Sequence, residues 1–100
     1  MHIIQTSTIF NNWLKSLRDL NAKALITKRL RKMQDGNFGD WKSIGNGISE
    51  IRIHDGPGYR LYFTRINNEI IFLLCGGDKS SQDRDIKAAK QILKDMGESK

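Results

Sequence analysis

The sequence predicts one α+β domain over residues 1–100, in which helices pack against one sheet. Three observations predict it. Apolar residues recur at helical spacing in residues 9–33 and again in 86–96. Residues 49–74 hold alternating or continuous apolar runs separated by turn sequences, which is typical of consecutive strands. The chain has the length of one domain, and no linker or repeat divides it. Helices followed by a run of strands indicate the α+β class.

The N-terminal third is predicted to form a short strand, His2 to Thr6, and then a helical hairpin. Thr6, Ser7 or Thr8 can cap the first helix, and Asn21 the second. The link between the two helices is very short, so they should run antiparallel. Their apolar stripes are expected to be core: Ile9, Phe10, Trp13, Leu14 and Leu17 in the first helix, and Ala22, Leu25, Ile26, Leu30 and Met33 in the second.

A three-stranded antiparallel meander is predicted next. Residues 55–58 (Asp-Gly-Pro-Gly) and 67–68 (Asn-Asn) have the composition of tight turns between its strands. The third strand, Ile70 to Leu74, is apolar throughout, so it should be covered on both faces. The Gly-rich segment 38–47 is predicted to be a connector. Residues 76–81 are predicted to form a loop before a C-terminal helix that Ser80 or Ser81 caps.

Charged side chains are predicted to share one face of this sheet. In the first meander strand, Glu50 and Arg52 alternate with Ile51 and Ile53, and Arg60 occupies the corresponding face of the next strand. The net charge of the chain is +6. Residues 11–34 hold seven basic residues against one acidic residue, whereas the remainder has ten of each. A basic excess on one local element favours an anionic partner such as a phosphate backbone, although a solvated helix face has the same composition.

Several classes of site are not expected. Cys75 is the single cysteine and lies in an apolar run, so it is expected to be a buried, unreactive thiol. His2, His54 and Cys75 lack the close spacing of zinc ligands, and neither a metal nor a small-molecule cofactor is expected. The N-terminus does not have the pattern of a signal peptide, and no apolar run is long enough to span a bilayer. We therefore expect a cytoplasmic protein with no membrane partner.

Five segments, in order along nearly the whole chain, carry a distinctive pattern. They are Gly36 to Asp40, Gly47 to Ile53, Gly56-Pro57-Gly58-Tyr59-Arg60-Leu61-Tyr62, Leu73 to Gln82, and Asp85-Ile86. Together they resemble the HigB-like addiction module killer family of the RelE/ParE toxin superfamily, found in type II toxin–antitoxin systems. The combination of G-P-G-Y-R with G-G-D-K-S-S-Q carries most of the resemblance, because each motif alone is weak.

This resemblance implies both an activity and partners. RelE-like and HigB-like members cut mRNA in the ribosomal A site, whereas ParE-like members poison DNA gyrase. A cognate antitoxin, often a helix-turn-helix protein of the HigA type, neutralises the toxin. The first expectation is therefore a ribosome-dependent mRNA endonuclease that inhibits translation, with the ribosome and mRNA as partners. The resemblance also implies the superfamily's compact fold.

Cleavage of RNA by its own 2′-hydroxyl requires a base, stabilisation of the phosphorane charge and protonation of the leaving oxygen. Arg60 and Arg52 have the guanidinium geometry that grips a phosphate, and Arg60 resembles the phosphate-binding arginine of RelE-like toxins. Glu50 is a candidate base, and Lys79 a further cation. His54 titrates in the range that acid–base chemistry needs. The same residues would also form an ordinary surface salt-bridge ladder.

Contact with RNA is expected from the basic helix and from an exposed aromatic ring. The candidates are Lys28, Arg29, Arg31 and Lys32, together with Lys42 and with Tyr62, whose ring is expected to stack on a base. The superfamily's nucleases commonly carry a functional Tyr or His near the C-terminus, and this chain has neither after Tyr62. Two alternatives thus stay open: a gyrase poison without catalysis, and a basic helix that only docks an acidic antitoxin.

Overall fold

The computed structural model describes residues 2–98, and within them a five-stranded sheet carries helices on both faces. The elements are β1 (Ile3–Thr6), α1 (Thr8–Ser16), α2 (Leu20–Gln34), β2 (Trp41–Gly45), β3 (Ile48–Ile53), β4 (Tyr59–Ile66), β5 (Ile70–Asp78), a 3₁₀ turn (Lys79–Ser81) and α3 (Gln82–Glu98). The strand order is β1-β5-β4-β3-β2. The predicted α+β class, N-terminal strand, two helices, meander and C-terminal helix are confirmed.

Side chains cap both N-terminal helices. Ser7 accepts a hydrogen bond from the backbone N–H of Phe10 at 2.9 Å, and its hydroxyl donates to the Leu74 carbonyl at 2.6 Å. This residue therefore caps α1 and also ties the start of the helix to β5. Asp19 caps α2 by accepting from the N–H groups of Asn21 and Ala22. The predicted cap, Asn21, is wrong, because that residue already lies in the first turn.

The sheet has one strand that the sequence did not predict. β2 pairs antiparallel with β3, and Lys42 lies opposite Glu50. The glycines of this segment predict a connector. Those glycines instead make the turn: Gly45, Asn46 and Gly47 all have positive φ, at 92°, 57° and 77°. Such a left-handed run reverses the chain over a few residues, which returns it to β3 as a hairpin.

β5 is longer than predicted, because it runs through Gly76 and Gly77 to Asp78. Both glycines are fully enclosed between elements. A Cβ atom on Gly76 would lie 2.6 Å from Trp13 Cε3, and one on Gly77 would lie 2.6 Å from the Ser81 hydroxyl. The absence of side chains thus lets α1 pack on one face of the strand and the 3₁₀ turn on the other.

Two apolar clusters lie on opposite faces of the sheet. α1 and α2 cover the larger one, which includes Phe10, Ile26, Met33, Ile51, Leu61, Phe63 and Leu73. α3 covers the smaller one, formed by Ile48, Tyr62, Leu74, Cys75 and Ala89 with partly buried residues around them. As predicted, β5 is covered on both faces. Each fully buried large apolar side chain contributes roughly 1.5–3 kcal/mol to stability, so both layers hold the sheet.

The site lies at one end of the sheet face that α3 covers. Along β3, Ile48 lies beneath α3, and Glu50 and Arg52 follow on the same face. Arg52 and Arg60 line an open concavity beside the turn that joins β3 to β4. Among residues 2–98, no helix combines the length and the apolar character that a bilayer span requires.

Candidate anion-binding site

Glu50 is a fully buried carboxylate at the centre of the site. Its Oε1 accepts one hydrogen bond from Arg52 Nε and another from Arg60 Nη1, each at 3.0 Å. Its Oε2 accepts from the side-chain amide of Gln82 at 3.2 Å. An unpaired carboxylate would be expensive to bury. The two guanidinium groups and the amide therefore account for its burial, and Glu50 in turn fixes the direction of both arginines.

Arg52 and Arg60 are direct partners in the β3–β4 register. Like charges placed opposite each other destabilise a strand pair, and the Glu50 carboxylate between them offsets that repulsion. The Arg52 side chain is 33% exposed and the Arg60 side chain 14% exposed. Arg60 Nε is buried and has no hydrogen-bond partner among residues 2–98. The pair thus retains donor capacity and one net positive charge after Glu50 is counted.

The concavity beside the arginines has a volume of about 310 Å³. Its lining comprises Arg52, Ile53, His54, Gly56, Pro57, Gly58, Tyr59, Arg60 and Lys79. The two motifs that the sequence singled out are therefore two walls of one cavity: G-P-G-Y-R forms the turn and the start of β4, and Lys79 comes from G-G-D-K-S-S-Q. Three of the lining residues are permanent or near-permanent cations, so the concavity suits an anion.

Lys79 is placed by the 3₁₀ turn that follows β5. The Asp78 side chain caps this turn by accepting from the backbone N–H of Ser80 at 2.8 Å and from the Ser80 hydroxyl. The hydrogen bond from the Ser80 side chain is the main reason that the pKa of Asp78 is lowered. A Cβ atom on Gly58 would lie 3.7 Å from the Lys79 Cβ. The β3–β4 turn and Lys79 are therefore in close contact. Ser80 and Ser81, the predicted caps of α3, lie within the 3₁₀ turn that leads into it, and Asp78 caps that turn together with Ser81 in a capping box.

A histidine and a carboxylate lie in contact at the rim of the concavity. His54 Nε2 and Asp40 Oδ2 are 2.7 Å apart, and both side chains are largely exposed. The hydrogen bond with His54 lowers the pKa of Asp40, and the positive charges of Arg52 and Arg29 add to the effect. Asp40 precedes β2, which the sequence did not predict, so its proximity to His54 had no signal in the chain.

Tyr62 does not have the exposed position that the sequence predicted. Its side chain is fully buried beneath α3, and its hydroxyl has no hydrogen-bond partner within residues 2–98. Burial is the main cause that raises the pKa of this phenol above its usual range. The expectation that this ring stacks on a base is therefore wrong. The strand alternation gave the correct face, but α3 covers that end of it.

The structure separates the basic helix from the concavity. α2 packs on the opposite face of the sheet, and its exposed cations Lys28, Arg31 and Lys32 do not line the concavity. Arg29 does not line the concavity either, but its guanidinium group lies against Gly39 and its charge acts on Asp40. Lys42 is exposed on β2, on the same face as Glu50. Arg29 and Lys42 thus approach the site from the β2 edge.

The fold is that of the RelE-like toxins. The isolated Escherichia coli RelE toxin superposes with a TM-score of 0.66, covering 87% of this chain and 97% of that one at 14% identity. A double-arginine mutant of the same toxin in the free state gives 0.66, covering 91% and 97% at 17% identity. RelE in the intact E. coli RelBE toxin–antitoxin complex gives 0.62, covering 78% and 96% at 16% identity. At these identities the likeness concerns the fold.

The sequence comparisons then give the family. The sequence model described as "Phage derived protein Gp49-like (DUF891)" matches residues 12–96, and the chain belongs to that family. An uncharacterized protein of Haemophilus influenzae is 50% identical over 94 residues, which covers 94% of this chain and 95% of that protein. The family match thus begins within α1, covers α2 and the whole meander, and ends within α3.

Proposed function

We propose that the protein is the toxin of a type II toxin–antitoxin pair and that it cuts mRNA on the ribosome. The observation that carries this proposal is the concavity in which Arg52, Arg60 and Lys79 meet. Three cations converge there against the single carboxylate of Glu50. The RelE-like fold and the HigB-like motifs support the same assignment, and we infer that the protein acts in the cytoplasm.

In this proposal the arginines hold the scissile phosphate. A guanidinium group binds phosphate oxygens by parallel hydrogen bonds, and Arg60 enters the reaction already oriented by Glu50. Positive charge fixed where the phosphorane charge develops is commonly the largest contribution to such catalysis. Lys79 adds a third cation from the 3₁₀ turn that also lines the concavity.

Glu50 takes a different role from the base that the sequence suggested. Both of its oxygens already accept hydrogen bonds, two of them from cationic groups. Glu50 is also fully buried and does not line the concavity, so it is not placed to take a proton from a substrate bound there. We therefore assign Glu50 as the residue that positions Arg52 and Arg60.

The remaining cations would bind RNA outside the reaction centre. Lys42 lies on β2, and the cations of α2 lie on the opposite face of the sheet from the concavity: Lys28, Arg29, Arg31 and Lys32. Contacts of this kind act on the phosphate backbone, so binding should weaken steeply as salt is raised. For the antitoxin, the HigB-like resemblance supports a helix-turn-helix partner of the HigA type, and the likeness to the E. coli RelBE toxin–antitoxin complex supports an antitoxin partner in general.

The test is mapped mRNA cleavage in a reconstituted translation system, with and without ribosomes. The wild-type protein should cut only when ribosomes are present, and Arg60→Ala should lower the cleavage rate at least 100-fold. Arg52→Ala is the second variant, because it leaves the more deeply buried Arg60–Glu50 pair in place. Arg18→Ala is the control, since it removes an exposed arginine from the α1–α2 link. Intact mRNA with the wild-type protein, or full activity of both site variants, would overturn the proposal.

One observation favours a second candidate, a gyrase poison. The sequence after Tyr62 contains neither Tyr nor His, so α3 supplies no such acid–base group to the site. A poison requires only binding. Its signature would be intact mRNA, lost DNA supercoiling and a DNA-damage response on induction of the protein.

A further inference from the structure

The rim of the concavity holds a titratable pair that the proposed function has not used. His54 follows the last residue of β3, and Asp40 precedes the first residue of β2. The backbone fixes this relation, because the N–H of Arg52 donates to the Asp40 carbonyl at 2.9 Å. Trp41 and Ile51 are the next register partners. The 2.7 Å contact between imidazole and carboxylate therefore rests on a strand pair and not on two independent loops.

The groups around His54 define what it can do. Asp40 faces it from the β2 side, and Arg29 of α2 acts on the same carboxylate. Arg52 and Arg60 face it from β3 and β4, Lys79 from the 3₁₀ turn, and Asp55 is its neighbour in the turn. Among the residues of the described chain that line the concavity, His54 is the only histidine, and imidazole is the side chain that most often serves as a general base. Tyr59 is buried, and the other ionisable groups there are cations.

We propose that His54 is the general base of the RNA cleavage reaction and that Asp40 is its positioning residue. This inference rests on the proposed function. Asp40 accepts the Nε2 proton of the imidazole, which leaves Nδ1 as the acceptor. The lowered pKa of Asp40 agrees with a carboxylate that stays ionised beside it. A carboxylate in this position fixes the tautomer and stabilises the imidazolium as it forms.

The reaction balances as follows. The 2′-hydroxyl oxygen attacks phosphorus while its proton moves to His54 Nδ1. The bond from phosphorus to the 5′-oxygen breaks, which gives a 2′,3′-cyclic phosphate. The departing 5′-oxygen takes a proton from water, and the hydroxide so formed takes the proton from the imidazolium. Arg60 and Arg52 hold the non-bridging oxygens, so base and charge stabilisation lie on adjacent walls of one cavity.

The experiment measures single-turnover cleavage of ribosome-bound mRNA from pH 5.5 to 8.5, together with ribosome affinity. His54→Asn should lower the cleavage rate at least 100-fold, with affinity unchanged within threefold and with the acidic limb of the pH profile lost. Asp40→Asn should keep some activity and move that limb to lower pH, because the imidazolium loses its counter-charge. His2→Asn is the matched control at the chain's other histidine, which packs against Phe38.

The two proposals fail separately. If the wild-type protein leaves mRNA intact, the proposed function itself is wrong. If the wild-type protein cuts, Arg60→Ala does not, and His54→Asn cuts at the wild-type rate with the same pH profile, only the inference on His54 is overturned. Thermal unfolding of each variant identifies one that does not fold. If His54→Asn does not fold, the pH profile of Asp40→Asn tests the inference instead. An acidic limb at the wild-type position in that variant would reject the assignment of His54 and Asp40.

Discussion

Replacing Glu50 by Gln should destabilise the protein by roughly 2 kcal/mol. The amide has nearly the same shape and keeps an oxygen for the arginines, so the substitution removes charge and little else. Breaking a fully buried ion pair costs about 3–5 kcal/mol. Here the cost is smaller, because the Arg52 side chain is 33% exposed and the Arg60 side chain 14% exposed, and water screens what remains.

Thermal unfolding followed by circular dichroism measures this effect. A domain of about 100 residues loses about 4–8 °C in Tm per kcal/mol, so the expected decrease is roughly 8–16 °C. Glu69→Gln is the matched control. It makes the same chemical change at an exposed position in the β4–β5 turn, where surface substitutions stay within about 0.5 kcal/mol.

An added anion should partly restore the stability that the Glu50→Gln variant loses. Without the carboxylate, Arg52 and Arg60 face each other with no counter-charge, and added phosphate takes its place. Phosphate should therefore raise the Tm of the Glu50→Gln variant more than that of the wild-type protein. Equal Tm values for Glu50→Gln and Glu69→Gln, or no differential response to phosphate, would refute the assignment of Glu50 as the counter-ion of the pair.

Two further predictions concern β5. Gly76→Ala should cost about 2 kcal/mol or more in urea unfolding, because the new methyl group meets the Trp13 ring; Gly97→Ala, where no atom lies within 4 Å, should not destabilise and serves as the control. Cys75 should resist thiol reagents at pH 8 in the native protein, because burial raises its pKa to about 12 and leaves the thiol protonated. The same shift means that stability is lost as the pH rises above about 9, where the unfolded thiol ionises. Labelling of Cys75 in the native protein at the rate of the unfolded chain would contradict the second prediction. A Gly76→Ala variant as stable as Gly97→Ala would contradict the first.

Much of the fold was predictable because its signals are local. Helical stripes, turn residues and strand alternation depend on neighbours a few positions away, and they gave α1, α2, the meander and α3. β2 was missed because its five residues are mostly exposed and its flanking glycines indicate a connector as readily as a hairpin. Gly76 and Gly77 indicated a loop for the same reason, although packing on both faces keeps them in the strand.

The candidate site was predictable in part. Alternation along β3 and β4 put Glu50, Arg52 and Arg60 on one face, and the structure brings them together. The burial of the Glu50 and Tyr62 side chains was not predictable, since both depend on where α3 crosses the sheet. Gln82 and Asp40 carried no signal, because each reaches the site from a distant part of the chain.

The sequence by itself determined which residues share a face, since a strand's period of two is a property of the backbone and needs no partner. It also determined the surplus of positive charge on α2. Only the tertiary structure decided which part of the sheet face stays open, which carboxylate is buried and which groups meet at the rim. Those outcomes follow from contacts between residues as far apart as Glu50 and Gln82, and such contacts form only when the helices and strands pack.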